Sequence, residues 1–120
     1  MKVFWDDCGE GLLADEAKDV YLDEAKLIWS DTVRGVEGNF LGLTDEQERT
    51  VQFCYVSDIP ADTEDARHLP IVLMDLPVAD RQGSYQRQVT ISDVDDLIVT
   101  AFQYGADPNL FGTVEFVAWS

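Results

Sequence analysis

The sequence is poor in the side chains with which small proteins usually carry out nucleophilic or metal chemistry. Its 120 residues include one histidine and two cysteines. Cys8 and Cys54 form neither a C-x-x-C pair nor a zinc-ligand pattern with the histidine, so the sequence predicts neither a disulfide framework nor a zinc site. His68 lies in a polar segment without a recognisable catalytic motif, and we expect it to be an ordinary loop residue.

Sequence motifs of nucleotide-binding enzymes and metalloenzymes are also missing. The chain has no G-x-S-x-G, G-x-x-x-x-G-K-[ST], G-x-G-x-x-G or H-E-x-x-H pattern, and these patterns position nucleophiles, phosphates and zinc. The segment "DVDDLIV" lacks the turn glycine and distal glutamate of a calcium loop. We therefore predict no catalytic residue, no metal ligand and no cofactor, and we interpret the protein as a non-enzyme.

Long apolar segments are absent from the sequence as well. No uninterrupted apolar run approaches the length needed to span a membrane. The opening "MKVFWDDCGEG" turns acidic after five residues, unlike a secretory signal peptide. These observations predict a cytoplasmic protein that does not associate with membranes.

What the sequence has in excess is negative charge. It contains 24 aspartates and glutamates against 8 lysines and arginines, which gives a formal charge of -16. A charge this large favours solubility and association with positively charged partners, and it disfavours direct binding to nucleic acid. Because 46% of the residues are hydrophobic, we expect residues 1–120 to fold as a single acidic domain rather than remain disordered.

Hydrophobic spacing predicts two helices. The first runs from Asp15 to about Ser30. Its predicted buried stripe consists of Leu13, Ala17, Val20, Tyr21 and Ile28. The second helix follows Ser92 and ends at Gly105, which can adopt a left-handed conformation. Its predicted buried face consists of Val94, Leu97, Ile98, Ala101 and Phe102.

Several short segments rich in β-branched, aromatic and aliphatic residues predict strands. They are "KVFW", "GNFLGL", "TVQFCYV", "LPIVLMDL" and "TVEFVAW". The second and third should form a hairpin, and "IVLM", bracketed by Pro70 and Pro77, is typical of a central strand. The sequence therefore predicts an α+β fold in which two helices pack on one face of an antiparallel or mixed sheet of about five strands.

Two acidic segments are candidates for contact with a partner. On the first predicted helix, three aspartates four residues apart would form a repulsive ridge, with Leu22 and Trp29 at its edge as apolar anchors. The second segment is a loop without compensating cations. The candidate partner-binding residues are Asp15, Asp19, Leu22, Asp23, Trp29, Asp58, Asp62, Glu64 and Asp65. Solubility alone could also explain the acids, and both anchors could instead be tucked under a neighbouring loop.

The order of several segments resembles that of bacterial toxin-immunity proteins. These segments are "NFLGL", "TVQF", "GSYQRQVTISDVDDLI", "AFQYGADP" and "FVAW", and the resemblance spans Asp19 to Trp119. Proteins of this group are encoded beside polymorphic toxins, including those of contact-dependent and type VI systems. The resemblance implies an α+β domain that neutralises a cognate toxin by tight binding, either occluding its active site or locking its fold, without catalysis.

The acidic composition agrees with that implication, because many such toxins act on nucleic acid and present basic clefts. A carboxylate-rich surface can compete there with phosphate. An alternative is a nucleic-acid-mimicking inhibitor of a DNA- or RNA-binding protein, which the same charge would serve. A third and weaker alternative is a small carboxylate-dependent hydrolase, for which the dispersed acids offer no preferred acid and base.

Overall fold

The secondary structure combines one large sheet with two helices, and the computed structural model describes residues 1–119. The strands are β1 (Lys2–Asp7), β2 (Glu10–Leu12), β3 (Lys18–Asp19), β4 (Phe40–Thr44), β5 (Thr50–Tyr55), β6 (Val72–Val78), β7 (Gly83–Val89) and β8 (Glu115–Ala118). The helices are α1 (Leu22–Leu27), which continues as a π-helical turn (Ile28–Thr32), and α2 (Asp93–Tyr104). Short 3-10 turns occupy residues 14–16, 79–81 and 108–110.

All paired strands run antiparallel. Their order across the sheet is β2-β1-β4-β5-β6-β7-β8, and β3 pairs with the outer edge of β1 beside β2. Strands β4 to β7 form a meander, whereas α1 is inserted before β4 and α2 is inserted before β8. The predicted α+β class, the two helices and the β4–β5 hairpin are confirmed, but the sheet has eight strands among residues 1–119 rather than about five.

The core lies between the two helices and one face of the sheet. Alternate residues of β4, β5 and β6 point into it, as the period of a strand requires. These strand residues are Leu41, Leu43, Val51, Phe53, Tyr55, Val72, Met74 and Leu76. The helices contribute Ala25, Trp29, Val94, Leu97, Ile98 and Ala101. Burial of each large side chain contributes about 1.5–3 kcal/mol relative to exposure, so this layer supplies most of the stability.

The first predicted helix is wrong over its initial part. Instead of a helix from Asp15, the chain makes a 3-10 turn and then pairs β3 with β1, with Lys2 opposite Asp19. The helix begins only at Leu22. Pairing at the sheet edge determines the backbone conformation here, because it satisfies hydrogen-bonding groups of β1 that would otherwise be unpaired. The next residue, Val20, extends this pairing by donating its N–H to Met1 O at 3.0 Å.

The second predicted helix is confirmed, and its first turn is capped from outside. Thr90 and Asp93 exchange hydrogen bonds, with Thr90 N donating to Asp93 Oδ2 at 3.0 Å and Asp93 N donating to Thr90 Oγ1 at 3.1 Å. This reciprocal arrangement satisfies backbone donors at the start of the helix. At the other end, Gly105 adopts φ +80 and donates its N–H to Ala101 O, which closes the last turn.

Two details of the central strands differ from the sequence-based expectation. Segment "GSYQRQV" forms β7, although its polar residues gave no strand signal. Pro77 lies inside β6 opposite Ser84, rather than ending the strand. The described β5–β6 register stops at Asp75, so Pro77 pairs with a neighbouring strand on one side only. Proline has no N–H to donate, and it is tolerated at such a position.

Asp45 joins the turn of the β4–β5 hairpin to the end of α2. Its Oδ1 accepts hydrogen bonds from Gln47 N and Arg49 N, both at 2.9 Å. Its Oδ2 accepts from Arg49 Nε and from Ala106 N, both at 2.8 Å. Burial opposes ionisation of Asp45, but the bonds from Ala106 and Arg49 outweigh it and lower the pKa of the carboxyl below its ordinary value of 3.8.

We predict that Asp45→Asn lowers the free energy of unfolding by about 2–3 kcal/mol. The amide nitrogen that replaces Oδ2 is itself a hydrogen-bond donor, so it could not accept bonds from the two donors at that position. Urea unfolding at neutral pH measures this change. Since the folded pKa of Asp45 is lowered, its contribution is complete above the unfolded pKa and is lost as the pH falls through the folded value. The difference between wild type and variant should therefore shrink below about pH 4.

The matched control is Glu46→Gln, which makes the same chemical change at the neighbouring exposed residue. We expect its unfolding midpoint to stay close to that of the wild type. Equal stability of the two variants at neutral pH would contradict a structural role for Asp45.

Candidate partner-binding site

The sheet face that the helices leave uncovered carries acids among polar and apolar side chains. Of the 24 acids of the chain, four occupy strand positions on this face, namely Asp6, Asp19, Asp75 and Glu115. Phe4 packs there over Gly42, and Trp119 donates its Nε1–H to Ser84 Oγ at 3.1 Å. The other 20 of the 24 acids lie away from this face.

A long loop between β5 and β6, residues 56–71, is held against neighbouring segments. Ile59 N donates to Gly35 O at 2.9 Å, and Ser92 N donates to Arg67 O at 2.9 Å. The Ile59 side chain lies so close to Gly35 that an added Cβ at Gly35 would come within 2.1 Å of it. The loop is thus fixed beside the end of α1 and the start of α2, although it contains no helix or strand.

Nine exposed acids from these three segments gather at this end of the molecule, and we call them the acidic rim. They are Asp31 and Glu37 from the segment after α1, Asp58, Asp62, Glu64 and Asp65 from the loop, and Asp93, Asp95 and Asp96 from the first turn of α2. Glu37 N donates to Asp58 Oδ1 at 2.7 Å, which ties two of the segments directly.

Two arginines lie at the acidic rim, and both are already engaged. Arg34 Nε is 3.0 Å from Asp7 Oδ1, and Arg67 Nε is 3.2 Å from Asp65 Oδ1. The hydrogen bond from Arg34 lowers the pKa of Asp7, and that from Arg67 lowers the pKa of Asp65. These carboxylates stay ionised at neutral pH, and the rim as a whole remains strongly negative.

A cleft of about 430 Å³ opens between these segments, and Asp95 of the rim lines it. Its walls include Ile59 from the loop and Ile91 from the segment before α2. Trp29 and Tyr55 also line it, and their rings are stacked with centroids 4.9 Å apart and planes 9° from parallel. Burial raises the pKa of Tyr55 to about 12, so its hydroxyl keeps its proton at neutral pH.

The two predicted acidic segments have different arrangements in the structure. The four loop acids lie together in the rim with acids from two other segments. The aspartates predicted to form a helical ridge are instead dispersed, with Asp15 in a 3-10 turn, Asp19 in β3 and Asp23 in α1. The prediction of a helical ridge is therefore wrong, and these three aspartates do not repel one another along a helix.

The two predicted apolar anchors belong to the core side of α1. Trp29 is 3% exposed, so its predicted position at the surface is wrong, and Leu22 is half-buried against the core. Leu22, Ala25 and Trp29 form one stripe with spacings of three and four residues, which is the buried face of the helix. Of the predicted stripe, Val20 is in the core and Ile28 packs against it, whereas Leu13 and Tyr21 are 68% and 83% exposed.

The sequence analysis missed five residues of the rim: Asp31, Glu37, Asp93, Asp95 and Asp96. The three in α2 belong to the segment "DVDDLIV", which the sequence analysis considered only as a calcium loop. No sequence signal connects them to the loop acids, because the contacts that bring them together run through backbone groups of Arg67 and Leu69.

The remaining reactive side chains lie apart from the rim or in its outer loop. Cys8 is exposed, Cys54 is partly buried, and both are free thiols. His68 is exposed in the loop. Among residues 1–119, no three His, Cys, Asp or Glu side chains converge as a metal-binding group. None of the helices in that range has both the length and the apolar character needed to cross a membrane.

Comparison with known proteins gives no relative from which a function could be transferred. No protein-family model, curated protein or solved structure matches this chain. Its function has to be inferred from the geometry and charge described above.

We predict that Trp29→Ala destabilises the protein by about 3–5 kcal/mol, because it removes a buried ring stacked on Tyr55. Tyr21→Ala, the matched control at the opposite end of the same helix, removes a ring that is 83% exposed and should change stability by about 0.5 kcal/mol or less. Urea unfolding followed by circular dichroism measures both. Similar unfolding midpoints for the two variants would contradict the assignment of Trp29 to the core.

Proposed function

We propose that this protein is a bacterial immunity protein that binds and neutralises a cognate toxin, with the acidic rim facing a basic active-site cleft. The observation that carries the proposal is the gathering of nine exposed acids from three chain segments at one end of the fold. The two arginines at this end are bound to Asp7 and Asp65, so they leave most of the rim charge unneutralised.

Electrostatics gives such a surface two useful properties. It speeds encounter with a basic partner, because long-range attraction steers the two surfaces together. It also competes with phosphate for the same lysines and arginines, because these side chains bind carboxylates and phosphates by the same charge-assisted hydrogen bonds. A toxin that acts on nucleic acid or nucleotides would therefore lose access to its substrate while the rim is bound.

The rim also offers apolar contact beside its charges. Val36, in the turn after α1, and Val56, at the start of the loop, are 37% and 41% exposed. Binding surfaces combine desolvated apolar contacts with a polar border. Inhibition by occlusion requires no catalytic group, in agreement with the sequence analysis.

The proposal predicts that charge reversal at the rim abolishes protection without unfolding the protein. The variant is Asp62→Lys with Glu64→Lys, two exposed loop residues that make no hydrogen bond or ion pair within residues 1–119. The partner is first captured from the native organism with the wild-type protein and identified by mass spectrometry. Growth under co-expression with that partner then reports protection, and thermal unfolding reports the fold.

The matched control is Asp6→Lys with Glu115→Lys, which makes the same charge change on the uncovered sheet face. We expect it to retain protection. Protection by the rim variant equal to that of the control would contradict the proposed interface. Capture of a non-toxic DNA- or RNA-binding protein would instead favour nucleic-acid mimicry and overturn the immunity function.

We further predict that association with the partner slows as salt rises. Screening over about 8 Å at physiological ionic strength weakens attraction between exposed charges, whereas apolar contacts that determine dissociation respond less. Stopped-flow measurements at several salt concentrations should show the association rate falling at least about tenfold from low salt to half-molar salt. A salt-independent association rate would contradict electrostatic steering by the rim.

A further inference from the structure

The cleft between the loop, the end of α1 and the start of α2 is lined by two buried aromatic residues whose polar groups have no protein partner. Tyr55 is 4% exposed and Trp29 is 3% exposed, and both line the cleft. Within residues 1–119, the hydroxyl of Tyr55 and the Nε1–H of Trp29 make no hydrogen bond, although Trp119 Nε1 does make one. Polar groups of buried residues normally bond to protein or to water.

These two polar groups are accessible from the cleft rather than sealed in the core. The fully enclosed side-chain atom without a partner in residues 1–119 is Arg87 Nε, which lies elsewhere. The Tyr55 hydroxyl and the Trp29 Nε1 therefore retain contact with the space that their residues line. A molecule in the cleft could accept hydrogen bonds from both groups.

The chemistry of the cleft selects among possible ligands. Its floor offers donors, Ile59 and Ile91 offer apolar walls, and its volume of about 430 Å³ falls in the range of small-molecule sites. Charges of both signs line the cleft, because Asp95 lies there together with Arg34 and Arg67. The two arginines bind Asp7 and Asp65, so the lining favours neither a cation nor an anion.

We propose that the cleft lined by Trp29 and Tyr55 is a binding site for a small neutral organic molecule that has an apolar body and a carbonyl-type acceptor oxygen. The acceptor would be bound by the Tyr55 hydroxyl and the Trp29 Nε1–H, while the apolar body contacts the isoleucine walls. This site is independent of the proposed function, because it requires no partner protein.

Three probes of nearly equal shape test the proposal on the full-length protein: neutral benzamide, anionic benzoate and cationic benzamidine. The readout is the indole N–H signal of Trp29 in a proton-nitrogen NMR spectrum, which changes when this group becomes a donor to a ligand. The variants Trp5→Phe and Trp119→Phe identify the other two indole signals. We expect benzamide to shift the Trp29 signal in a saturable way and to bind at least tenfold more tightly than either charged probe.

Tyr55→Phe removes only the unpaired hydroxyl and should weaken benzamide binding about fivefold, the effect of one neutral hydrogen bond. The matched control is Tyr104→Phe, which removes a hydroxyl from a residue that is 61% exposed at the far end of α2 and should leave affinity unchanged. The same spectrum shows whether each variant is folded.

Three outcomes would overturn the proposal. They are the absence of a saturable Trp29 shift in the wild type, equal benzamide affinity of the Tyr55→Phe and Tyr104→Phe variants, and tighter binding of benzamidine or benzoate than of benzamide. The first outcome needs no variant. Retained protection by the rim variant would contradict the proposed function alone, so the two hypotheses fail separately.

Discussion

The stacking of Trp29 on Tyr55 is the contact on which the arrangement of the helix layer depends. It joins the end of α1 to β5 in the middle of the sheet, with ring centroids 4.9 Å apart, and Trp29 also lies 6.4 Å from Phe53 on the same strand. Because this contact fixes where α1 ends, it also fixes where the following turn meets the long loop and the start of α2. The acidic rim and its cleft are consequences of that position.

The acidic rim is produced by the fold rather than by the sequence. The acids are spread along the whole chain, and hydrogen bonds between distant segments place nine exposed acids on three adjoining segments. Mutual repulsion in such a cluster opposes folding, and the core between sheet and helices has to outweigh it. A basic partner would relieve this repulsion on binding, which is why a crowded acidic surface suits a protein that acts by association.

Local patterns succeeded where one segment contains all the information. Helix α2 was predicted because its apolar spacing, acidic first turn and terminal Gly105 lie within a few turns of chain, and the β4–β5 hairpin was predicted from alternation. The first helix failed because Asp15 to Val20 has helical spacing but lies where β1 needs a partner. Strand β7 was missed because a strand between two neighbours is stabilised by their hydrogen bonds, whatever its own polarity.

The sequence by itself determined the α+β class, the acidic character and the absence of recognised catalytic motifs, because composition and short-range periodicity are properties of the chain. It also identified the loop acids as a candidate surface. Only the tertiary structure decided that Trp29 belongs to the core, that Asp15, Asp19 and Asp23 are dispersed, and that acids from three distant segments form one rim. Those outcomes depend on hydrogen bonds and packing between residues far apart in sequence, and no local pattern encodes them.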